Sequence, residues 1–160
     1  MKRAIAIVLM MATLATAQVS TSILSDGDAI DVRVGVAAGE QMEYGIQGSW
    51  SDAKPDELWE LGAYATWVID PNATIPLRDL IPFVGTALNL PESVNARVYI
   101  GGLITVTEPF TGDANAGVGP IVGARIGPIE LETRYMVYDA GGMGDFGSGA
   151  KLTLGLRLEW

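Results

Sequence analysis

The sequence predicts an all-β fold, a closed antiparallel up-and-down barrel of about eight strands. Apolar and polar residues alternate along most of the chain, the pattern of strands whose two faces meet different surroundings. The polar faces carry charged side chains of both signs. The last segment alternates up to an aromatic residue, with one face formed by Leu152, Leu154, Leu156, Leu158 and Trp160.

The N-terminal segment differs from the rest of the chain. Two basic residues precede an apolar run and a pattern of small residues: Lys2, Arg3, Ala4–Ala12 and Ala15-Thr16-Ala17. The run is shorter than the roughly 20 apolar residues of a membrane-spanning helix. We therefore predict a cleaved signal peptide over residues 1–17 and a single barrel domain over residues 18–160.

Seven segments of the predicted barrel domain alternate clearly: 31–36, 42–50, 59–67, 94–106, 117–126, 129–138 and 151–160. Single-chain bacterial membrane barrels use an even number of strands, which places both termini on one side. We therefore predict an eighth strand at Phe83–Asn89, although its alternation is weak.

This arrangement assigns each connection to one end of the barrel. Periplasmic turns are predicted at Ser51–Asp56, Leu90-Pro91-Glu92 and Gly127-Pro128. Outer connections are predicted at Ala38–Glu40, Asp70–Leu80, Thr107–Ala116 and Asp139–Gly149. The outer connections are acidic, with Arg78 opposed by Glu40, Asp70, Asp79, Glu108, Asp113, Asp139 and Asp145. They could recognise a surface ligand of unknown identity or hold a divalent cation weakly, although no EF-hand spacing occurs.

The charged polar face predicts a network across a narrow lumen. A membrane barrel turns its apolar face outward to lipid and keeps a polar interior. The predicted lumen charge network consists of Arg33, Glu43, Glu60, Arg97, Arg125, Glu130, Glu132, Arg134, Lys151, Arg157 and Glu159. An ordinary solvated face is the alternative interpretation of these charges.

The tryptophans favour the membrane interpretation. Trp59 and Trp67 lie on one face, eight residues apart, which corresponds to roughly 20 Å along a membrane normal for tilted strands. Amphipathic rings gather at the two membrane interfaces. We predict an aromatic girdle of Trp50, Trp59, Trp67 and Trp160; the alternative is core tryptophan in a soluble sandwich.

The run Lys151–Trp160 resembles the end of small bacterial outer-membrane β-barrel proteins. In that family, an alternating apolar strand that closes on an aromatic residue, usually Phe, is the signal for barrel assembly. The resemblance implies that Leu152, Leu154, Leu156, Leu158 and Trp160 form this signal, with Trp160 in place of Phe. It also implies outer-membrane lipid, periplasmic chaperones and the barrel-assembly machinery as partners.

Composition excludes several kinds of chemistry. The chain has no histidine and no cysteine, which removes the commonest general base and all thiolate chemistry. The formal net charge of −9 argues against nucleic-acid binding, which needs clustered Lys and Arg. We expect no enzymatic activity, no cofactor and no metal centre.

The sequence therefore predicts a non-enzymatic outer-membrane barrel with a structural or surface-recognition role through its acidic outer loops. A narrow porin for small solutes is one alternative, and conductance distinguishes it. A soluble periplasmic β-barrel that binds an apolar ligand is the other. It would have its apolar face inside.

Overall fold

The structure, a computed structural model, describes residues 18–51, 58–76, 91–108, 114–139, 142–143 and 146–160. These residues form ten strands: β1 Val19–Ser25, β2 Ala29–Ala38, β3 Met42–Ser51, β4 Leu58–Ile75, β5 Val94–Thr107, β6 Asn115–Ile126, β7 Ile129–Tyr138, β8 Gly142–Met143, β9 Phe146–Gly147 and β10 Gly149–Glu159. No helix in this part of the chain is long and apolar enough to cross a membrane.

Eight of these strands form a closed antiparallel barrel, which confirms the predicted fold class. Each strand pairs with its sequence neighbours, apart from β8 and β9, which form a separate two-stranded sheet. The barrel closes where β1 pairs with β10. Beyond the end of β10, Trp160 and Val19 exchange two backbone hydrogen bonds of 3.0 Å. Closure leaves no unpaired edge in the barrel wall.

One barrel strand lies in a segment for which no strand was predicted. The strand that completes the eight is β1, whereas the eighth strand was predicted at Phe83–Asn89. Residues 83–89 lie outside the described residues, as does the predicted signal peptide at residues 1–17. The barrel closes with β4 paired directly to β5, so it needs no strand between them.

The position of β1 changes the end to which several connections belong. We call the end where β1 begins and β10 ends the terminal end, and the opposite end the distal end. The β2–β3 turn at residues 39–41 lies at the terminal end, and β3 ends at the distal end. The predictions for Ala38–Glu40 and Ser51–Asp56 were therefore wrong. Because the prediction lacked β1, it assigned each connection before residues 83–89 to the opposite end of the barrel. The strand assumed at 83–89 then returned the later connections to their observed ends.

The predicted outer loop Asp70–Leu80 was also wrong where it can be compared. Residues 70–75 belong to β4 and pair with the start of β5, with register shifts on either side of Asp70. Such shifts are typical of β-bulges, which bend a strand. This part of the hairpin lies at the terminal end. In the predicted loop Asp139–Gly149, the described residues include the β8–β9 ladder.

Burial alternates along most of the length of the barrel strands, with a change of parity in β5 between Ala96 and Tyr99. In β7, Glu130, Glu132 and Arg134 are buried, while Leu131 and Tyr135 at alternate positions are exposed. Successive side chains of a strand point to opposite faces, so the charged residues fill the interior and the apolar residues cover the outside.

The interior also contains an apolar layer that the sequence analysis did not identify. Leu103, Ile121 and Met136 are fully buried and cluster with the rings of Tyr64, Tyr99 and Tyr138. Leu103 has the same strand parity as Thr105, so continuing the alternation through Gly101-Gly102 would have placed it inside. The lumen is therefore filled by both polar and apolar side chains.

Candidate functional site: the charged barrel interior

The structure brings most of the predicted charge network into the lumen. Eight of its members are buried there: Arg33, Glu43, Glu60, Arg125, Glu130, Glu132, Arg134 and Arg157. The other three lie at the barrel ends. Arg97 and Glu159 are exposed at the terminal end, and Lys151 is partly buried at the distal end. These three do not form pairs across the middle of the lumen.

Arg33 and Glu132 form the central ion pair. The two guanidinium Nη atoms donate to the two carboxylate oxygens at 2.5 and 2.7 Å, a bidentate arrangement. Arg33 Nε donates to Gln47 Oε1 at 2.6 Å, and Gln47 Nε2 donates onward to Ser49 Oγ at 2.8 Å. Bidentate pairing fixes the planar guanidinium group in one orientation, so this pair is a rigid crosslink between β2 and β7.

Glu43 is the centre of a second cluster nearer the terminal end. Arg157 donates to both of its carboxylate oxygens, with Nη1 at 3.1 Å from Oε1. Arg125 Nη1 lies 3.3 Å from Oε2, and the Tyr64 hydroxyl donates to Oε1 at 2.7 Å. A buried carboxylate needs such partners, because removal from water is costly without them.

Glu130 connects the two clusters. Its oxygens accept hydrogen bonds from Ser22 Oγ at 2.6 Å, Arg125 Nε at 3.0 Å and the Tyr99 hydroxyl at 2.9 Å. The Tyr99 hydroxyl also lies 3.1 Å from Glu132 Oε2, and the Arg125 guanidinium lies 4.4 Å from the Tyr99 ring centre. Glu43, Glu130 and Glu132 therefore belong to one continuous polar network.

Towards the distal end the interior polar groups are less completely paired. Arg134 Nη1 lies 2.7 Å from Asp31 Oδ2, but the angles do not satisfy a hydrogen bond, and both groups keep buried polar atoms without one. We describe this contact as an ion pair, because the two charged groups lie within ion-pair distance of each other. Glu60 accepts a hydrogen bond from the Tyr138 hydroxyl.

Sequence analysis missed several residues of the network. Asp31 and the three interior tyrosines, Tyr64, Tyr99 and Tyr138, are buried in the lumen but were not among the predicted network residues. Each phenol donates to a network carboxylate. Their strand parity was the available signal, because every one of them shares a face with the predicted charges.

A cavity of about 390 Å³ opens at the terminal end of the lumen. Its charged lining residues are Glu40, Glu43, Arg97, Arg125, Arg157 and Glu159. A second depression of about 450 Å³ on the rim shares Arg97, Arg125, Arg157 and Glu159 with it.

At the distal end, the turn between β1 and β2 is tied to β10. Lys151 Nζ lies 3.4 Å from Asp26 Oδ2, and Asp26 Oδ1 accepts hydrogen bonds from the backbone N–H groups of Ala29 and Asp28. Burial alone would raise the pKa of Asp26, but the backbone hydrogen bonds and the Lys151 ammonium lower it below its usual value. Gly27 adopts φ = 102°, which an L side chain rarely tolerates.

The four tryptophans lie near the barrel ends. Trp50 and Trp59 are directly paired near the distal end, whereas Trp67 and Trp160 lie at the terminal end. Trp59, Trp67 and Trp160 are exposed on the outer face, and Trp50 is partly exposed. The proposed assembly residues Leu152, Leu154, Leu156 and Leu158 are also exposed, in alternation with the interior positions of β10.

The acidic residues predicted as outer loops are divided between the ends. Glu40 and Asp70 lie at the terminal end, whereas Glu108 and Asp139 lie at the distal end. Asp79, Asp113 and Asp145 lie outside the described residues. Within the described part of the chain, no group of three or more acidic side chains could hold a metal ion.

The interior is filled by side chains that ion pairs connect across the lumen. Its buried charges come from four arginines and five carboxylates: Arg33, Arg125, Arg134, Arg157, Asp31, Glu43, Glu60, Glu130 and Glu132. These opposite charges lie close together across the lumen, with one carboxylate in excess, so they link the strands of the wall. No protein-family model matches the chain, and no curated protein matches it in sequence.

Proposed function

We propose that the chain is a non-enzymatic outer-membrane β-barrel protein, exported by a signal peptide at residues 1–17. Its role is structural or surface recognition. One observation carries this proposal: the barrel buries its charges and exposes its large apolar side chains. This is the reverse of the distribution in a soluble barrel, and it is the distribution that a lipid environment requires.

The outer surface is apolar over most of the strand length. Among the described residues, 24 large hydrophobic side chains are exposed, and Ile46, Ile104 and Leu154 lose little of their surface to contacts, being 66%, 63% and 59% exposed. Soluble monomers rarely expose contiguous apolar patches beyond a few hundred Å². Acyl chains would cover this surface without the free-energy cost that water imposes.

The aromatic positions support the same environment. Trp50 and Trp59 near one end and Trp67 and Trp160 at the other bracket the aliphatic band, as interfacial aromatics do in membrane barrels. The closed wall also satisfies strand backbone groups by pairing, which lipid cannot do.

In this proposal the terminal end faces the periplasm and the distal end faces outward. By sequence, the connections between strands at the distal end contain one lysine and many acids: Lys54 against Asp26, Asp28, Asp52, Asp56, Glu57, Glu108, Asp113, Asp139 and Asp145. An acidic outer surface repels other anionic surfaces and favours a basic or cationic partner.

The two alternatives fit the structure less well. A porin needs an open lumen, but the Arg33–Glu132 pair, Tyr99 and the layer of Leu103 and Met136 fill this one. A soluble apolar-ligand carrier needs an apolar interior, but this interior holds nine charged side chains.

Expression of the chain with its N-terminal segment in a Gram-negative host tests the proposal. The expected result is recovery in the outer-membrane fraction, with a gel mobility that changes when the sample is boiled, because closed barrels resist detergent unfolding. Soluble periplasmic and outer-membrane marker proteins control the fractionation.

Recovery in the soluble periplasm would contradict the proposal and favour the apolar-ligand carrier.

The recognition role has a separate test. A variant lacking residues 140–147 should keep the heat-dependent mobility and lose any adhesion to cells or matrix that the intact protein confers. Unchanged adhesion would leave only the structural role.

A further inference from the structure

Three guanidinium groups lie around the opening of the lumen at the terminal end, which we call the mouth. Arg97, Arg125 and Arg157 line both the cavity of about 390 Å³ and the rim depression of about 450 Å³. The whole chain has 10 basic residues against 19 acidic ones, so three arginines around one opening, which Glu40, Glu43 and Glu159 also line, are a local cluster of basic groups. The proposed barrel function does not account for it.

Two of these arginines form a like-charge pair across neighbouring strands. Arg97 in β5 lies directly opposite Arg125 in β6, and both line the cavity. Like charges at directly opposed positions destabilise a sheet. Arg125 is neutralised by Glu130 and Glu43. No carboxylate among the described residues lies within ion-pair distance of Arg97, so its donors remain available.

Two acidic residues of the mouth pair with Arg125 and Arg157 rather than with Arg97. Glu43 accepts from Arg157 and Tyr64, and Glu159 accepts from Arg157 Nε at 2.7 Å and Gln18 Nε2 at 3.1 Å. Glu40 is exposed in the turn between β2 and β3. The charge of Arg97 is therefore left for a partner that enters the cavity from solvent.

We propose that this mouth binds a phosphate group, with Arg97 as the principal ligand and Arg125 as the second donor. A guanidinium group donates two parallel hydrogen bonds to phosphate oxygens. A phosphate monoester offers three acceptor oxygens, enough for two guanidinium groups at once. A bound phosphate would also give Arg97 the anionic partner that Glu43 and Glu130 already provide for Arg125.

The phosphate could belong to a soluble compound or to a phospholipid headgroup. Leu158 lines the rim depression, and Leu158 and Trp160 are 60% and 66% exposed on the adjoining outer face. A phospholipid could place its phosphate at Arg97 and its acyl chains along β10. Only the lipid source rests on the proposed membrane location; the phosphate site itself does not.

Calorimetric titration of inorganic phosphate into the folded full barrel in detergent tests the site. Arg97→Gln should weaken binding at least about tenfold, because it removes a charged donor, and Arg97→Lys should weaken it less. Lys151→Gln is the matched control. It removes the same charge at the distal end and should bind phosphate like the wild type.

A second titration uses short-chain phosphatidylglycerol, with an uncharged short-chain diacylglycerol as its control. Arg97-dependent binding of inorganic phosphate assigns a soluble source, and Arg97-dependent binding of the lipid alone assigns a headgroup; either supports the site. Absence of both, or equal binding by Arg97→Gln, overturns it. Heat-dependent gel mobility shows separately that each variant is folded, and the phosphate titration stays informative even for a barrel recovered in the periplasm.

Discussion

The bidentate contact between Arg33 and Glu132 is the most tightly defined interaction of the interior. Both side chains are almost completely buried, so loss of one partner leaves the other charge without compensation. We expect Glu132→Gln to lower the free energy of unfolding by about 3–5 kcal/mol. Urea unfolding of the barrel in detergent, followed by tryptophan fluorescence, measures this change.

Glu159→Gln is the matched control for that variant. It makes the same chemical change where the side chain is 34% exposed and paired with Arg157 at the rim. Exposed ion pairs contribute little, so its effect should stay below about 1 kcal/mol. Equal effects of the two variants would mean that the central pair contributes no more than a surface contact.

Glycines on the inner face make room for the interior tyrosines. A Cβ atom on Gly123 would clash with the ring of Tyr99, and one on Gly117 would clash with the ring of Tyr138. We expect Gly123→Ala to destabilise the barrel by about 1–3 kcal/mol, because overpacking forces the ring or the backbone to move.

Gly102→Ala is the control for Gly123→Ala, since the nearest atom to its Cβ would be the Gly119 carbonyl oxygen at 3.8 Å. It should leave the unfolding midpoint almost unchanged. A loss of stability as large as that of Gly123→Ala would show that strand propensity, rather than the Tyr99 contact, dominates the effect.

At the level of a strand, β10 allows the lipid hypothesis to be tested by depth. Leu154 lies midway along its outer face and Leu158 near its end. In lipid vesicles, Leu154→Arg should cost about 2–4 kcal/mol of unfolding free energy, and Leu158→Arg about 0–1 kcal/mol. Similar small costs at both depths would contradict a lipid-facing surface.

The strands also show why sequence reasoning succeeded in part. In β10 the outward positions are uniformly apolar, and in β7 they are apolar apart from Thr133, so the two faces could be read from the alternation alone. In β1 the outward face includes Thr21 and the interior face includes the buried Leu24, so alternation of polarity disappears although alternation of direction remains. The predicted ends were therefore wrong together for the β2–β3 and β3–β4 connections and for the predicted loop after β4.

The site residues, too, could be predicted only where the polarity of a side chain marks the face on which it lies. Long charged side chains were recognised because their polarity marks the interior face, whereas the phenols of Tyr64 and Tyr99 were not, since a tyrosine suits either face. Pairing partners such as Arg33 and Glu132 are 99 residues apart in sequence. Their contact depends on the closure of the barrel, which no local pattern encodes.

For the molecule as a whole, the filled lumen predicts that the barrel does not conduct. The Arg33–Glu132 pair, Tyr99, Leu103 and Met136 occupy the cross-section, and eight-stranded barrels are filled by their own side chains. Purified barrel in planar bilayers should give no stable current steps. A steady ohmic current would favour the narrow-porin alternative, and an established large porin serves as the positive control.

The pairing of β1 with β10 also sets an order of events during biosynthesis. Because these partners stand at opposite ends of the strand order, the seam cannot form until β10 has been synthesised. Until then, any partly assembled sheet carries two open edges and an uncovered apolar face, both of which favour aggregation. Closure is therefore a late step of folding, and under the proposed export the chain needs protection until β1 and β10 have paired.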